Sequence, residues 1–79
     1  MIAPVAPKQV VVDGVAVISA TAHVGLAQWN RYRGAYTDAL AHAQEARKQF
    51  ESIGDVRRVA RTAAIEAEIY LLRGDERAL

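Results

Sequence analysis

The residue types that most often bind metal ions, histidine and the acidic side chains, come together near the middle of this 79-residue chain. Asp38, His42 and Glu45 follow one another at steps of four and three residues, so a helix would present them on one face. Carboxylate and imidazole groups are zinc ligands, and this arrangement could in principle support a small metal-dependent enzyme. Such residues on an exposed helix are more often simply solvated. We therefore predict no metal site.

Other groups capable of chemistry lack the neighbours that catalysis requires. His23 has no acidic residue at helical spacing, which predicts a half-buried hydrogen-bonding residue and not a catalyst. The serine and threonine hydroxyls have no convincing base beside them, and none lies in a strained nucleophile turn. They belong to Ser19, Thr21, Thr37, Ser52 and Thr62. The glycines are too dispersed to form a phosphate-binding loop. We expect neither an enzyme nor a cofactor.

A basic segment offers an alternative function. Arg57, Arg58 and Arg61, with Arg47 and Lys48 nearby in sequence, could contact nucleic acid. Acidic residues dilute this segment: Glu45, Glu51, Asp55, Glu66 and Glu68. Surface ion pairs such as Arg47–Glu51 and Asp55–Arg58, each contributing a few tenths of a kcal/mol, are the simpler interpretation. With a net charge of +1, the chain is unlike a nucleic-acid binder, and this association remains the second hypothesis.

Length and composition restrict the architecture. A chain this short forms one domain and buries only about 60% of its unfolded surface. It contains no cysteine, so helix packing or self-association must supply the stability that a disulfide would otherwise give. The run Val10-Val11-Val12 is interrupted by Asp13 before it reaches membrane-spanning length, and the start lacks a signal-peptide pattern. We expect a cytoplasmic protein without membrane contact.

The chain divides into an N-terminal arm and a helical part. Pro4 and Pro7 disfavour helix around them, which predicts an extended arm over residues 1–13, with a strand at 9–12 or a hairpin at Asp13-Gly14 as alternatives. A first helix is predicted over about 15–33. It ends at Arg33-Gly34, where glycine can adopt the left-handed conformation that terminates helices.

Two more helices follow with apolar residues at helical spacing. The second carries Tyr36, Ala39, Leu40, Ala43, Ala46 and Phe50, and it ends at Ser52-Ile53-Gly54. The third starts after Asp55, a favourable N-cap, and ends at Arg73-Gly74. Its predicted apolar stripe consists of Val56, Val59, Ala60, Ala63, Ala67, Tyr70 and Leu71. The final residues, DERAL, resemble the first turn of an uncompleted fourth helix. Leu26, Trp29 and Tyr70 are assigned to the core.

The glycines suggest an internal repeat. Gly14 and Gly54 are forty residues apart, as are Gly34 and Gly74, and each pair is predicted to mark a helix start or end. The same shift aligns Ala20 with Ala60, Ala27 with Ala67 and Arg33 with Arg73. A period of this length is typical of helical repeat proteins.

The segment LAQWNRYRGAYTDALAHAQEA resembles the core of a tetratricopeptide repeat. Leu26 and Ala27 match close-packing positions of its first helix, Gly34 its turn, and Tyr36, Ala39 and Ala46 its second helix. The segment IEAEIYLLRGDERAL resembles a second copy, and FESIGDVRRVARTAA resembles the linker of the roughly forty-residue repeats in bacterial signal-transduction ATPases and transcriptional regulators. Asn30 departs from the family, which usually has an aromatic residue there.

The resemblance implies an all-α fold of antiparallel helical hairpins, with three helices and a C-terminal stub in a domain over residues 14–79 of about one and a half repeats. It also implies a non-enzymatic role in binding a protein or peptide. The inner concave face of such an array would carry Thr21, Val24, Gln28, Arg31, Tyr32, Arg61, Ala64, Glu68 and Leu72. This mixed surface suits a peptide or a helix in a groove.

So few repeats leave apolar faces uncovered, because about three are normally needed for a stable array. A second copy of the same chain could cover the faces of 15–33 and 55–73. Alternatively, the chain is a piece of a longer solenoid.

Overall fold

The computed structural model describes residues 7–74, and side chains from residue 12 onward, as three α-helices. Helix α1 spans Pro7–Tyr32, α2 spans Tyr36–Ser52 and α3 spans Val56–Arg73. Both α1 and α3 pack against α2, with little contact between them. The predicted all-α fold of antiparallel helical hairpins is therefore confirmed. The predicted C-terminal stub falls in residues 75–79, which lie outside the described part.

Helix α1 begins earlier than predicted. Residues 7–13 are helical, so the expected strand at 9–12 and hairpin at Asp13-Gly14 are wrong, and the extended arm does not include these residues. Pro7 can occupy the first position of α1 because the N–H groups of a helix's first turn have no carbonyl acceptor within the helix. The N–H that proline lacks would therefore have been unpaired in any case. Gly14 is accommodated inside α1, where glycine costs only about 1 kcal/mol relative to alanine. The rest of the predicted arm, residues 1–6, is not among the described residues.

Small side chains allow α2 to pack closely against both neighbours. Its buried residues are Ala39, Leu40, Ala43, Ala46 and Phe50, which confirms the predicted stripe, and Tyr36 packs against it half-buried. Ala20 and Ala27 of α1 are fully buried opposite them. Alanine at these contacts lets helix axes approach while keeping the interior dense.

Helix α3 turns a different face to the core from the one predicted. Its buried residues are Thr62, Ile65, Glu66 and Ile69, whereas Val56, Ala60, Ala63, Ala67 and Leu71 are exposed. Both stripes have helical spacing. The observed face buries Ile65 and Ile69, each of which removes more apolar area from water than an alanine does, and leaves Val56 and Leu71 exposed.

Two core assignments in α1 are also wrong. Trp29 is 58% exposed and Leu26 is 43% exposed, whereas the adjacent Ala27 is fully buried. Tyr70 of α3 is half-buried and packs against the core.

The turns after the three helices share one geometry. Gly34, Gly54 and Gly74 have φ values of 81°, 72° and 77°, the left-handed conformation predicted for a helix end. The Gly34 and Gly54 amides donate to the carbonyl oxygens of Arg31 and Glu51. The equivalent glycines thus recur every twenty residues. Gly14 lies inside α1 and does not mark the predicted helix boundary.

Candidate functional site

Helices α1 and α3 stand on either side of α2 and leave an open groove between them. The groove encloses about 260 Å³. Its lining residues come from all three helices: Thr21, Val24, Phe50, Arg58, Arg61, Thr62 and Ile65. We call this feature the α1–α3 groove.

The floor of the α1–α3 groove is part of the hydrophobic core. Ile65 belongs to the buried cluster around Ala27 and Ala43, and Phe50 belongs to a second cluster with Ala20 and Ala46. Val24 packs against both clusters. Because these side chains are held by the packing of the whole domain, the floor is apolar and formed before any ligand arrives.

Two threonines contribute to the walls. The Thr21 hydroxyl donates to the Val17 carbonyl oxygen, and the Thr62 hydroxyl donates to the Arg58 carbonyl oxygen, both at 2.7 Å. These hydroxyl hydrogens are satisfied within their own helices. The exposed Thr21 hydroxyl oxygen can still accept a hydrogen bond from a ligand, whereas Thr62 is only 2% exposed.

Two arginines of α3 form the rim. The Arg58 guanidinium lies 3.0 Å from an Asp55 carboxylate oxygen and its carbon is 5.7 Å from the centre of the Phe50 ring. Arg61 is exposed and makes no ion pair with any residue in the described part of the chain. The charge of Arg58 is thus partly compensated, and Arg61 supplies most of the positive potential at the rim.

An ion pair connects the two walls beyond the cavity. Arg31 of α1 binds Glu68 of α3, and this link joins two helices that otherwise scarcely touch. Gln28, one turn before Arg31, is half-buried, and its amide oxygen has no hydrogen-bond partner among the described residues.

The structure brings together part of the predicted concave face. Thr21, Val24 and Arg61 line the cavity, while Arg31 and Glu68 pair with each other. Tyr32 lies elsewhere, exposed and stacked on Trp29 with ring centres 6.2 Å apart. The remaining residues, Ala64 and Leu72, are exposed on α3 and do not line the cavity.

Four lining residues were not predicted as part of this site: Phe50, Arg58, Thr62 and Ile65. Phe50 was assigned to the core stripe of α2, and Arg58 to the basic segment. Thr62 and Ile65 were missed because the wrong face of α3 was assigned to the core. Side-chain size does not separate the two faces, because the exposed face also carries Val56 and Leu71.

The two histidines bind each other across the α1–α2 contact. Their Nδ1 atoms are 2.9 Å apart, so one ring donates and the other accepts. His23 is half-buried and hydrogen-bonded, as predicted. The described residues, which include Asp38, His42 and Glu45, contain no group of three histidine, cysteine or acidic side chains placed to hold a metal ion.

Glu66 is the buried charged residue of the core, on the α2-facing side of α3. Its carboxylate oxygen lies 3.0 Å from Arg47 Nε. The N–H is poorly aimed, however, and no regular hydrogen bond forms. Burial raises the pKa of Glu66, and the Arg47 charge opposes this effect only in part.

The predicted surface ion pairs of the basic segment are present. Arg58 binds Asp55 at 3.0 Å, and Arg47 lies 4.0 Å from Glu51. Asp55 also accepts a hydrogen bond from the Arg58 backbone amide, which confirms it as the N-cap of α3. Two of the cations that could attract nucleic acid are thus already paired with carboxylates.

The three helices described here are each too short or too polar to cross a membrane. No protein-family model, curated protein or solved structure matches the chain. The resemblance to tetratricopeptide repeats therefore rests on the residues of the chain itself.

Proposed function

We propose that this chain is a non-enzymatic interaction module, of the tetratricopeptide-like kind, that holds a segment of another protein in the α1–α3 groove. The observation that carries the proposal is the apolar floor, which is built from core residues yet open between two helices. Its lining contains neither a histidine nor a carboxylate, so its chemistry favours binding over acid–base catalysis.

The size of the groove favours a few side chains of a peptide. At about 260 Å³, it lies just below the roughly 300–1,000 Å³ typical of pockets for drug-sized ligands. Val24 is half-buried, and contact with an apolar side chain would remove more of its apolar area from water, whereas Phe50 and Ile65 are already only 3% and 8% exposed and add only a small area.

The rim favours a carboxylate beside that apolar side chain. Arginine binds carboxylates through two parallel hydrogen bonds, and Arg61 has no acidic partner among the described residues. The expected ligand is therefore a peptide segment with apolar residues next to aspartate or glutamate.

Selection from a random peptide library displayed on phage would test this proposal. We expect the immobilised protein to select apolar-acidic peptides, and Arg61→Glu to weaken their binding about tenfold or more, since a charge-assisted contact becomes repulsive. Arg57→Glu is the matched control, because Arg57 is an exposed arginine of α3 that does not line the groove. Fluorescence anisotropy would measure both affinities. Failure to select any peptide, or equal losses in both variants, would contradict the proposal.

Nucleic-acid binding through Arg57, Arg58 and Arg61 is distinguishable in the same assay. Binding of a mixed-sequence oligonucleotide through phosphates would fall steeply with added salt. It would also weaken with Arg57→Glu as much as with Arg61→Glu. We expect no such binding at physiological salt, because Asp55 pairs with Arg58.

Self-association is the second part of the proposed function. It is supported by the exposed apolar residues on the outer faces of α1 and α3, which no other described helix covers.

A further inference from the structure

Helix α1 is apolar on two opposite faces. One face packs against α2 through Ala20 and Ala27, which are fully buried. The opposite face, which we call the outer stripe, is exposed and consists of Val15, Ile18, Ala22, Gly25, Trp29 and Tyr32. Ile18 is 72% exposed and Tyr32 is 85% exposed. An apolar face of a helix is normally packed against another element.

The spacing of the outer stripe is that of a helix that packs along another helix. Its six residues are separated by alternating steps of three and four, the heptad pattern of helices that pack side by side. No aspartate, glutamate, lysine or arginine occurs from Gly14 to Asn30, and His23 is hydrogen-bonded to His42 of α2. The whole central part of α1 could therefore be buried without removing a charge from water.

The order of residues in the outer stripe is self-complementary. Large side chains occupy both ends, and the small residues Ala22 and Gly25 occupy the middle. If a second α1 ran antiparallel, Val15 would face the partner's Tyr32, Ile18 the partner's Trp29, and Ala22 the partner's Gly25. A two-fold symmetric interface requires this property, since one patch must fit a copy of itself.

Gly25 provides an independent indication. It lies inside α1, where glycine weakens a helix relative to alanine. A Cβ built at Gly25 meets nothing within 4 Å, so packing within the chain does not require glycine there. Glycine at this position would let a second helix approach closely at the centre of the outer stripe, as small residues commonly do where helices cross.

We infer that two copies of this chain associate through their α1 helices, antiparallel and centred between Ala22 and Gly25. This inference rests on the self-association part of the proposed function and specifies its surface. The large residues of this surface are mostly exposed, from 58% for Trp29 to 85% for Tyr32, so a second copy would remove a continuous apolar surface from water.

Sedimentation equilibrium at micromolar concentration tests the association. The wild-type chain is expected to have twice the single-chain mass of 8.6 kDa. Ala22→Glu is expected to have the mass of one chain, because two carboxylates would meet at the centre of the interface. Ala41→Glu, at an exposed alanine of α2, is the matched control and should remain a dimer. Circular dichroism would show that both variants stay helical.

Disulfide trapping tests the orientation, and the absence of native cysteine makes it unambiguous. Val15→Cys and Tyr32→Cys proteins, mixed and mildly oxidised, are expected to form a mixed disulfide. Val15→Cys alone should stay uncrosslinked, because antiparallel helices hold the two copies of this position far apart. Val56→Cys, exposed on α3, should also stay uncrosslinked.

Three results would overturn the inference: a wild-type monomer at these concentrations, a Val15→Cys homodimer, or equally efficient crosslinking through Val56→Cys. Peptide binding in the α1–α3 groove is measured separately with Arg61→Glu. A monomer that still binds groove peptides would therefore refute the α1 interface alone, whereas a dimer that selects no peptide would refute the groove alone.

Discussion

Glu66 shows how one buried residue couples the stability of this fold to pH. Its side chain faces α2 and is 10% exposed, and burial raises the pKa of its carboxyl group despite the Arg47 charge. A raised pKa means that the folded state binds the proton more tightly than the unfolded state does. The contribution of Glu66 to stability is therefore greatest at low pH and decreases as the pH rises through its folded pKa.

Glu66→Gln should remove this dependence, because glutamine keeps the shape of the side chain and does not ionise. We expect the stability difference, variant minus wild type, to increase as the pH rises from the ordinary glutamate value toward neutrality. Urea unfolding of both proteins across that range measures the difference. A constant difference would show that Glu66 titrates alike in both states.

The role of Asp55 as the N-cap of α3 was predictable from the sequence. It caps α3 by accepting a hydrogen bond from the Arg58 amide at 3.1 Å. Asp55→Ala should lower the free energy of unfolding by about 1 kcal/mol. Asp38→Ala is the control, because Asp38 lies exposed in the first turn of α2 and does not cap the helix. This substitution should remove only a favourable interaction with the helix dipole, about a few tenths of a kcal/mol. Equal losses in thermal or urea unfolding would contradict the capping role.

Local rules explain which residue assignments succeeded. Asp55 and the helix-terminating glycines follow from the neighbouring sequence alone, and so do the Asp55–Arg58 and Arg47–Glu51 pairs. The His23–His42 contact joins positions nineteen residues apart. It depends on how α1 and α2 are rotated against each other, which local spacing does not determine.

At the scale of elements, the turns between helices are specified by glycine. Gly34→Ala should lower the free energy of unfolding by about 1–2 kcal/mol, since φ is 81° there and a side chain disfavours that conformation. Gly14→Ala, inside α1 with open space around a Cβ, should raise it by up to about 1 kcal/mol. Thermal unfolding compares the two. Stabilisation by both substitutions would show that the turn does not require a left-handed residue.

The existence of the helices was predictable, while their orientation was only partly so. Helix α2 has one apolar stripe, and that stripe is buried as predicted. Helices α1 and α3 each have two apolar faces, so periodicity alone does not identify the buried one. This ambiguity led to the wrong placement of Leu26, Trp29, Ala60 and Ala63, and it concealed two of the seven groove-lining residues, Thr62 and Ile65.

At the scale of the whole molecule, the three helices form a flattened assembly. The Cα atoms extend over 51 × 23 × 12 Å, so the assembly is about half as thick as it is wide. This arrangement leaves the outer faces of α1 and α3 to solvent and keeps the groove between them open. The proposed binding of other chains, in the groove or on the outer stripe, depends on these open faces.

Peptide binding in the α1–α3 groove is the central proposal, and the most direct test is to map where a bound peptide contacts the protein. The tightest peptide from the phage selection would be titrated into ¹⁵N-labelled protein while the backbone amide chemical shifts are followed. We predict the largest changes at Thr21, Val24, Arg61 and Ile65, with little change at Ile18 or Val56. Changes concentrated on the outer faces of α1 or α3, with the groove residues unaffected, would contradict the proposed binding site.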